Sequence, residues 1–113
     1  MHELSLCGSI YEIADRAAAG RHVAVIHLQV GRLRQVVPET LGYCWGLVSD
    51  QTDLAGSVLE VDSVPATLRC LDCAAASTLS DELLLCCRQC GGFHVSVTTG
   101  EELMLTSLEL AEG

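Results

Sequence analysis

Four cysteines in two matched pairs carry the most chemistry in this sequence. Cys70-Leu71-Asp72-Cys73 and Cys87-Arg88-Gln89-Cys90 are C-x2-C pairs with 13 residues between them. Two intervening residues let both sulfurs of a pair turn toward one ion at tetrahedral angles. Four thiolates close the coordination sphere and leave no place for a substrate water, so the pattern predicts a structural Zn(II) rather than a catalytic one. The stretch between the pairs is long enough for a hairpin that brings them together, and Gly91-Gly92 suits a tight turn around the sulfurs. Cys86 adjoins Cys87, but only Cys87 gives the two-residue spacing, so Cys87 is the expected ligand. A redox dithiol is the rival reading; it is weakened because thioredoxin-type pairs sit at a strand-to-helix junction.

The second candidate is the opening Met1-His2-Glu3. A free α-amine, the next backbone amide and an imidazole can close adjacent chelate rings on one ion. Nitrogen donors in such a plane favour Ni(II) or Cu(II). A bulky histidine in second place also protects Met1 from the usual aminopeptidase. Against this stands the plain alternative of a solvent-exposed terminal histidine. His27 falls in the middle of a strand pattern on its more polar face, His22 in a loop, and His94 four residues beyond Cys90, where it could sit near the sulfurs. Cys7 and Cys44 lie on apolar stripes and read as core thiols.

These groups must be positioned by a small α+β scaffold. Leu6, Ile10, Ile13 and Ala17 fall on one stripe of a 3.6-residue period, with Cys7, Ala14 and Ala18 beside it, and Gly20 is a plausible stop. From Val23 to Val30 the pattern alternates: Ala24, Ile26, Leu28 and Val30 face one way, Val25, His27 and Gln29 the other. A second helix begins at Pro38, with Leu41, Cys44, Trp45 and Val48 as its buried stripe. Strands over Val58 to Val64 and Leu103 to Leu110 follow. The expected fold is α+β: a small mixed three-stranded sheet with two helices, over 1–65 and 99–113, carrying an inserted four-cysteine zinc-ribbon domain over 66–98. An insert of that size buries too little to fold without a metal or disulfides.

Composition narrows the function classes. The 113 residues carry 15 acidic groups against six basic ones, all Arg, for a net charge of −9. An acidic surface repels phosphate backbones, and segment 66–98 has no basic stripe and a single aromatic, Phe93. A nucleic-acid partner is not expected. No apolar run approaches the ~18 residues needed to span a bilayer, and the N-terminus lacks a secretory pattern, so a soluble cytoplasmic protein is expected. Seven cysteines, an odd number, argue for metal ligands and spare thiols over a paired disulfide framework. There is no phosphate loop, hydrolase elbow or two-histidine metal helix, so no enzyme is expected.

The opening Met1-His2-Glu3-Leu4-Ser5-Leu6-Cys7 resembles that of the HypA/HybF family of hydrogenase-maturation nickel chaperones. Val30-Gly31-Arg32-Leu33, Val36-Val37-Pro38-Glu39, Gly56 through Val64-Pro65, the two cysteine knuckles, Gly100-Glu101-Glu102-Leu103 and Leu108-Glu109-Leu110 match in order, over essentially the whole chain. The resemblance implies Ni(II) as cargo at His2, with Met1 through its amine and Glu3 through its backbone or nearby. It also implies zinc at Cys70, Cys73, Cys87 and Cys90. The partners it implies are the GTPase HypB and the large subunit of a [NiFe]-hydrogenase, with urease maturation served by some members. The family usually has Pro where Arg88 stands, which leaves the second knuckle's turn geometry open. The alternative from a different class is a zinc-ribbon adaptor that binds protein without delivering nickel.

Overall fold

The computed structural model describes residues 2–79 and 84–111, with His2 described by its backbone. The elements run α1 (His2–Ala18), β1 (Val23–Gly31), a single 3-10 turn (Arg32–Arg34), α2 (Pro38–Ser49), β2 (Val58–Val64), β3 (Thr67–Cys70), β4 (Ala76–Thr78), β5 (Val95–Thr99) and β6 (Leu103–Leu110). They form two three-stranded sheets, ordered β2-β1-β6 and β4-β3-β5. The expected α+β class, with two helices and a three-stranded sheet, is what the chain adopts. The chain divides into two compact units, one of residues 1–29, 36–62 and 103–113, the other of residues 30–35 and 63–102.

In the first unit α1 packs against α2 and β6. Leu6, Cys7, Ile10, Ala14 and Ala18 are buried, whereas Ile13 is 45% exposed. The inward stripe is therefore rotated from the one expected: it runs through Cys7, Ala14 and Ala18, while Ile13 and Ala17 face outward. Small residues at 14 and 18 allow the helix to approach its neighbours closely, which the larger Ile13 would not. On α2 the buried residues are Leu41, Trp45 and Ser49, with Cys44 and Val48 at the margin. Pro38 opens that helix, where its missing N–H costs nothing. Trp45 is buried without an orphaned donor, because its Nε1–H donates to Ser57 Oγ at 3.1 Å, and Ser57 in turn donates to the Leu54 carbonyl at 2.6 Å. Cys7 lies fully inside, its thiol 3.5 Å from the Leu41 carbonyl. Burial, with Cys44 and Glu3 nearby, pushes that thiol up to about 11, so it stays protonated and chemically quiet at neutral pH.

In the second unit β3 is the central strand, antiparallel to both β4 and β5. Ala66, Leu68 and Leu79 are buried, with Leu33, Val95 and Val97 packed against them. That is a very small core. Within the described residues the stretch between the cysteine pairs contributes one short strand, β4, paired back onto β3. It is β5, leaving the second pair, that closes against β3, with Cys70 opposite Val95.

The turn at 32–34 is bound to the segment after β5. Gly31 N–H donates to the Glu102 carbonyl at 2.7 Å and Leu33 N–H to the Gly100 carbonyl at 2.8 Å. Arg34 Nε donates to the carbonyls of Glu101 and Glu102 at 2.8 and 3.1 Å. A Cβ on Gly31 would lie 2.0 Å from the Gly100 carbonyl group. Gly100 has φ +118°, and its own Cβ would meet Ala66 Cα at 2.7 Å. Glycine is required at both positions by backbone approach, and at Gly100 by conformation as well. Gly31→Ala and Gly100→Ala should each cost about 3 kcal/mol or more, since the clash is with main chain that cannot step aside. Gly8→Ala, on an exposed helix surface with nothing within 4 Å of the new methyl, should gain up to ~1 kcal/mol. Urea denaturation of the three variants checks the contrast; equal midpoints for Gly31→Ala and wild type would refute the close approach.

Candidate metal centre

The four predicted cysteines converge. The sulfurs of Cys70, Cys73, Cys87 and Cys90 all lie within 4.8 Å of one another. Cys70 Sγ is 3.7 Å from Cys90 Sγ, and Cys73 Sγ is 3.6 Å from Cys87 Sγ. A disulfide would need about 2.05 Å, and all four are free thiols. A tetrahedron of sulfurs with metal bonds of ~2.3 Å has edges of about 3.8 Å. The donor set and its spacing therefore fit zinc. Cys86, half-buried, is not in the group.

Each pair is built on the same turn. Cys70 N–H donates to the Ala75 carbonyl at 2.9 Å, and Ala74 N–H to the Cys70 carbonyl at 3.0 Å. In the second pair Cys87 N–H donates to the Gly92 carbonyl at 2.8 Å, and Gly91 N–H to the Cys87 carbonyl at 2.9 Å. The residue four places after the first cysteine takes positive φ in both: Ala74 at 64° and Gly91 at 75°. Glycine does this freely, whereas alanine in the left-handed region costs about 1 kcal/mol. Arg88, where the family usually has Pro, leaves the turn intact. Its N–H donates to Ser77 Oγ on β4 at 3.3 Å, a bond proline cannot make.

The turns aim amide hydrogens at the first sulfur of each pair. Cys87 Sγ accepts from the Cys90 and Gln89 amides at 3.4 and 3.3 Å, and these bonds draw its thiol down to about 6. Cys70 is lowered in the same way by the amides of Cys73 and Asp72. The second sulfurs behave oppositely. The Ala75 amide pulls Cys73 down, but the Cys87 and Cys70 thiols and burial outweigh it and push Cys73 up to about 12. Cys90 is raised too: the Gly92 amide lowers it, and the Cys70 and Cys87 thiols prevail. Amide hydrogen bonds thus favour ionisation of the first sulfur in each pair while neighbouring thiols oppose that of the second; a divalent cation is what would let all four ionise. Cys70 and Cys87 are buried, while Cys73 and Cys90 reach the surface.

His94 is exposed, its Nδ1 3.1 Å from Asp72 Oδ1 inside the first pair, and is not among the convergent ligand atoms. At the other candidate, Met1 and the His2 side chain lie outside the described residues. The His2 backbone opens α1, which puts Glu3 in the first helical turn. The Glu3 carboxylate accepts from Val37 N–H, just before α2, at 3.3 Å. Among the described residues a second group of metal-type side chains also converges: His27, Glu60 and Glu109. His27 had read as no more than a polar-face strand residue.

An α+β chain with a four-thiol knuckle site defines a class of small metal-binding proteins, and comparison with known proteins narrows it. Residues 1–110 match the family described as hydrogenase/urease nickel incorporation metallochaperone, HypA. The hydrogenase maturation factor HypA of Geotalea uraniireducens is 40% identical over 110 residues, covering 97% of this chain and 99% of that one. That of a Nostoc species is 35% identical over 112 residues, covering 99% and 97%. In fold the chain resembles the solution structure of the Ni metallochaperone HypA from Helicobacter pylori, with a TM-score of 0.70 at 19% identity and 97% of each chain covered. The chain belongs to the HypA/HybF family of hydrogenase-maturation nickel metallochaperones.

The geometry makes a sharp distinction between neighbouring cysteines. Cys87→Ser should lower the zinc content of purified protein from one equivalent to well below half, because it removes a convergent sulfur, whereas Cys86→Ser should leave it unchanged. Elemental analysis after dialysis against a mild chelator reads this directly. Loss of zinc in Cys86→Ser with retention in Cys87→Ser would contradict the assignment.

Proposed function

We propose that this chain binds Ni(II) at its N-terminus and passes it, with the GTPase HypB, to the large subunit of a [NiFe]-hydrogenase in the cytoplasm, without catalytic turnover of its own. What supports the reading most is the family match, which runs through the Met1-His2-Glu3 opening and both cysteine pairs. The nickel ligands are the Met1 amine, the His2 imidazole with its amide, and Glu3. Zn(II) at Cys70, Cys73, Cys87 and Cys90 is resident and holds a ribbon over 66–98 in shape, while 1–65 and 99–113 form the nickel domain. Nucleotide hydrolysis falls to the partner, since the sequence has no phosphate loop.

The start of α1 at His2 suits this role in one respect and opposes it in another. The first amides of a helix have no carbonyl partners within it, so using them as ligands sacrifices no helical hydrogen bond. The same end carries the positive pole of the helix dipole, which disfavours a bound cation. Deprotonated amide nitrogens would offset that charge, and the surplus of acidic residues favours cations in general. Binding must then release protons. Affinity for nickel should rise with pH across the neutral range, in the direction set by losing protons from the amine, imidazole and amide.

Calorimetric titration of nickel into the zinc-loaded, untagged chain, its α-acetylated form and His2→Ala tests the assignment under one buffer. His2→Ala should weaken the tight site at least a hundredfold with zinc and fold retained, and acetylation should weaken it sharply with His2 intact. Unchanged affinity after acetylation would remove the amine from the ligand set. Unchanged affinity in His2→Ala would overturn nickel binding at the N-terminus altogether.

A further inference from the structure

The outer face of the sheet β2-β1-β6 carries a second convergence of ligand atoms. His27 is on β1, the central strand, and is flanked by Glu60 on β2 and Glu109 on β6. One ligand atom from each lies within 4.8 Å of the other two. His27 Nε2 is 2.5 Å from Glu109 Oε2. The imidazole is half-buried, with 32% of its side chain exposed, so it is held in place by the sheet, while the carboxylates reach solvent.

We propose that His27, Glu60 and Glu109 form a second divalent transition-metal site, weaker than the N-terminal one and open to exchange. One imidazole nitrogen with two carboxylate oxygens is a donor set for borderline first-row ions such as Ni(II) and Zn(II); without the imidazole it would suit Mg(II) or Ca(II) instead. Around one such ion, at bonds of about 2.0–2.2 Å, ligand atoms sit ~3–3.4 Å apart. Small rotations of three side chains, two of them exposed, reach that spacing from the one observed. Three protein ligands leave positions for water or for a group brought by a recipient, which marks an exchanging site and not a closed structural one.

The surroundings favour a cation. A groove of about 440 Å³ runs along this face, and its lining includes His27, Gln29, Glu60, Asp62, Thr106 and Ser107, with no Arg among the lining residues. Two carboxylates share one imidazole, and Asp62 adds a third acid from the same face of β2, two residues from Glu60. An ion on His27 would neutralise charge that the imidazole alone, even protonated, leaves in excess. Thr106 Oγ1 donates to the His27 carbonyl at 3.2 Å, fastening β6 to β1 beside the site.

The inference stands on these three side chains and does not depend on nickel binding at the N-terminus. The test uses the zinc-loaded full chain carrying His2→Ala, with Ni(II) as the probe. Sub-stoichiometric Ni(II) should broaden the amide resonances of residues around His27, Glu60 and Glu109, and calorimetry should show one weak site. Adding His27→Ala should abolish both signals. Glu60→Gln and Glu109→Gln, at exposed positions that leave the fold intact, should each weaken the site about tenfold. Broadening confined to other parts of the chain would overturn the proposal, as would the same weak affinity with and without His27 and both glutamates, or no binding in the His2→Ala chain. If His2→Ala leaves tight binding intact while His27→Ala still abolishes a separate weak site, the N-terminal reading falls and this one stands.

Discussion

Four sulfurs held within 4.8 Å of one another are the constraint on which the unit of residues 30–35 and 63–102 depends. Ala66, Leu68 and Leu79 with three partly buried neighbours make a core too slight to fix the ends of β3 and β5. Two C-x2-C turns do that work instead. They bring the sulfurs to the edge length of a zinc–thiolate tetrahedron, and they supply amide hydrogens that favour ionisation of Cys70 and Cys87. Without a cation the site is electrostatically divided, since neighbouring thiols raise Cys73 and Cys90. A divalent ion bound there would resolve that division and couple folding to metal binding.

The cargo chemistry has the opposite requirement. A closed thiolate site holds its ion too well to give it away, whereas nitrogen and oxygen donors at a chain end or on an open sheet face leave room for exchange. Both candidate exchanging sites of this chain have that character. His2 and Glu3 open the first turn of α1, whose amides have no carbonyl partners within the helix itself. The His27 group sits on a sheet face lined by acids. On the proposed function, retention and release fall to different ligand types, as softness and coordination number dictate.

Spacing carried most of what was legible in the sequence. The C-x2-C pairs, Pro38 at a helix start, the alternation of β1 and the bounds of β2 and β6 are local patterns, and each appears where its pattern puts it. The stripe of α1 was read one position off, because hydrophobicity alone favours Ile13 while close packing selects Ala14 and Ala18. The position of Arg88 looked like a departure of unknown effect; its hydrogen bond to Ser77 depends on β4, which lies 11 residues away in sequence. Glu109 was hidden for a similar reason. Leu103, Leu105 and Leu108 are the half-buried residues of β6, a spacing of two and then three, so the alternation slips at Thr106–Ser107. Strict alternation would have put Glu109 on the same face as Leu103 and Leu105, away from His27. Pairings across 82 residues, such as His27 with Glu109, leave no local trace.

Nickel X-ray absorption on the zinc-loaded, untagged chain with one equivalent of Ni(II) bears most directly on the division between a retaining sulfur site and an exchanging nitrogen–oxygen one. Nickel bound only to nitrogen and oxygen, with a spectrum unchanged in His27→Ala and zinc still on four sulfurs, is the predicted result. Sulfur bound to nickel, with zinc displaced from the cysteines, would contradict the account.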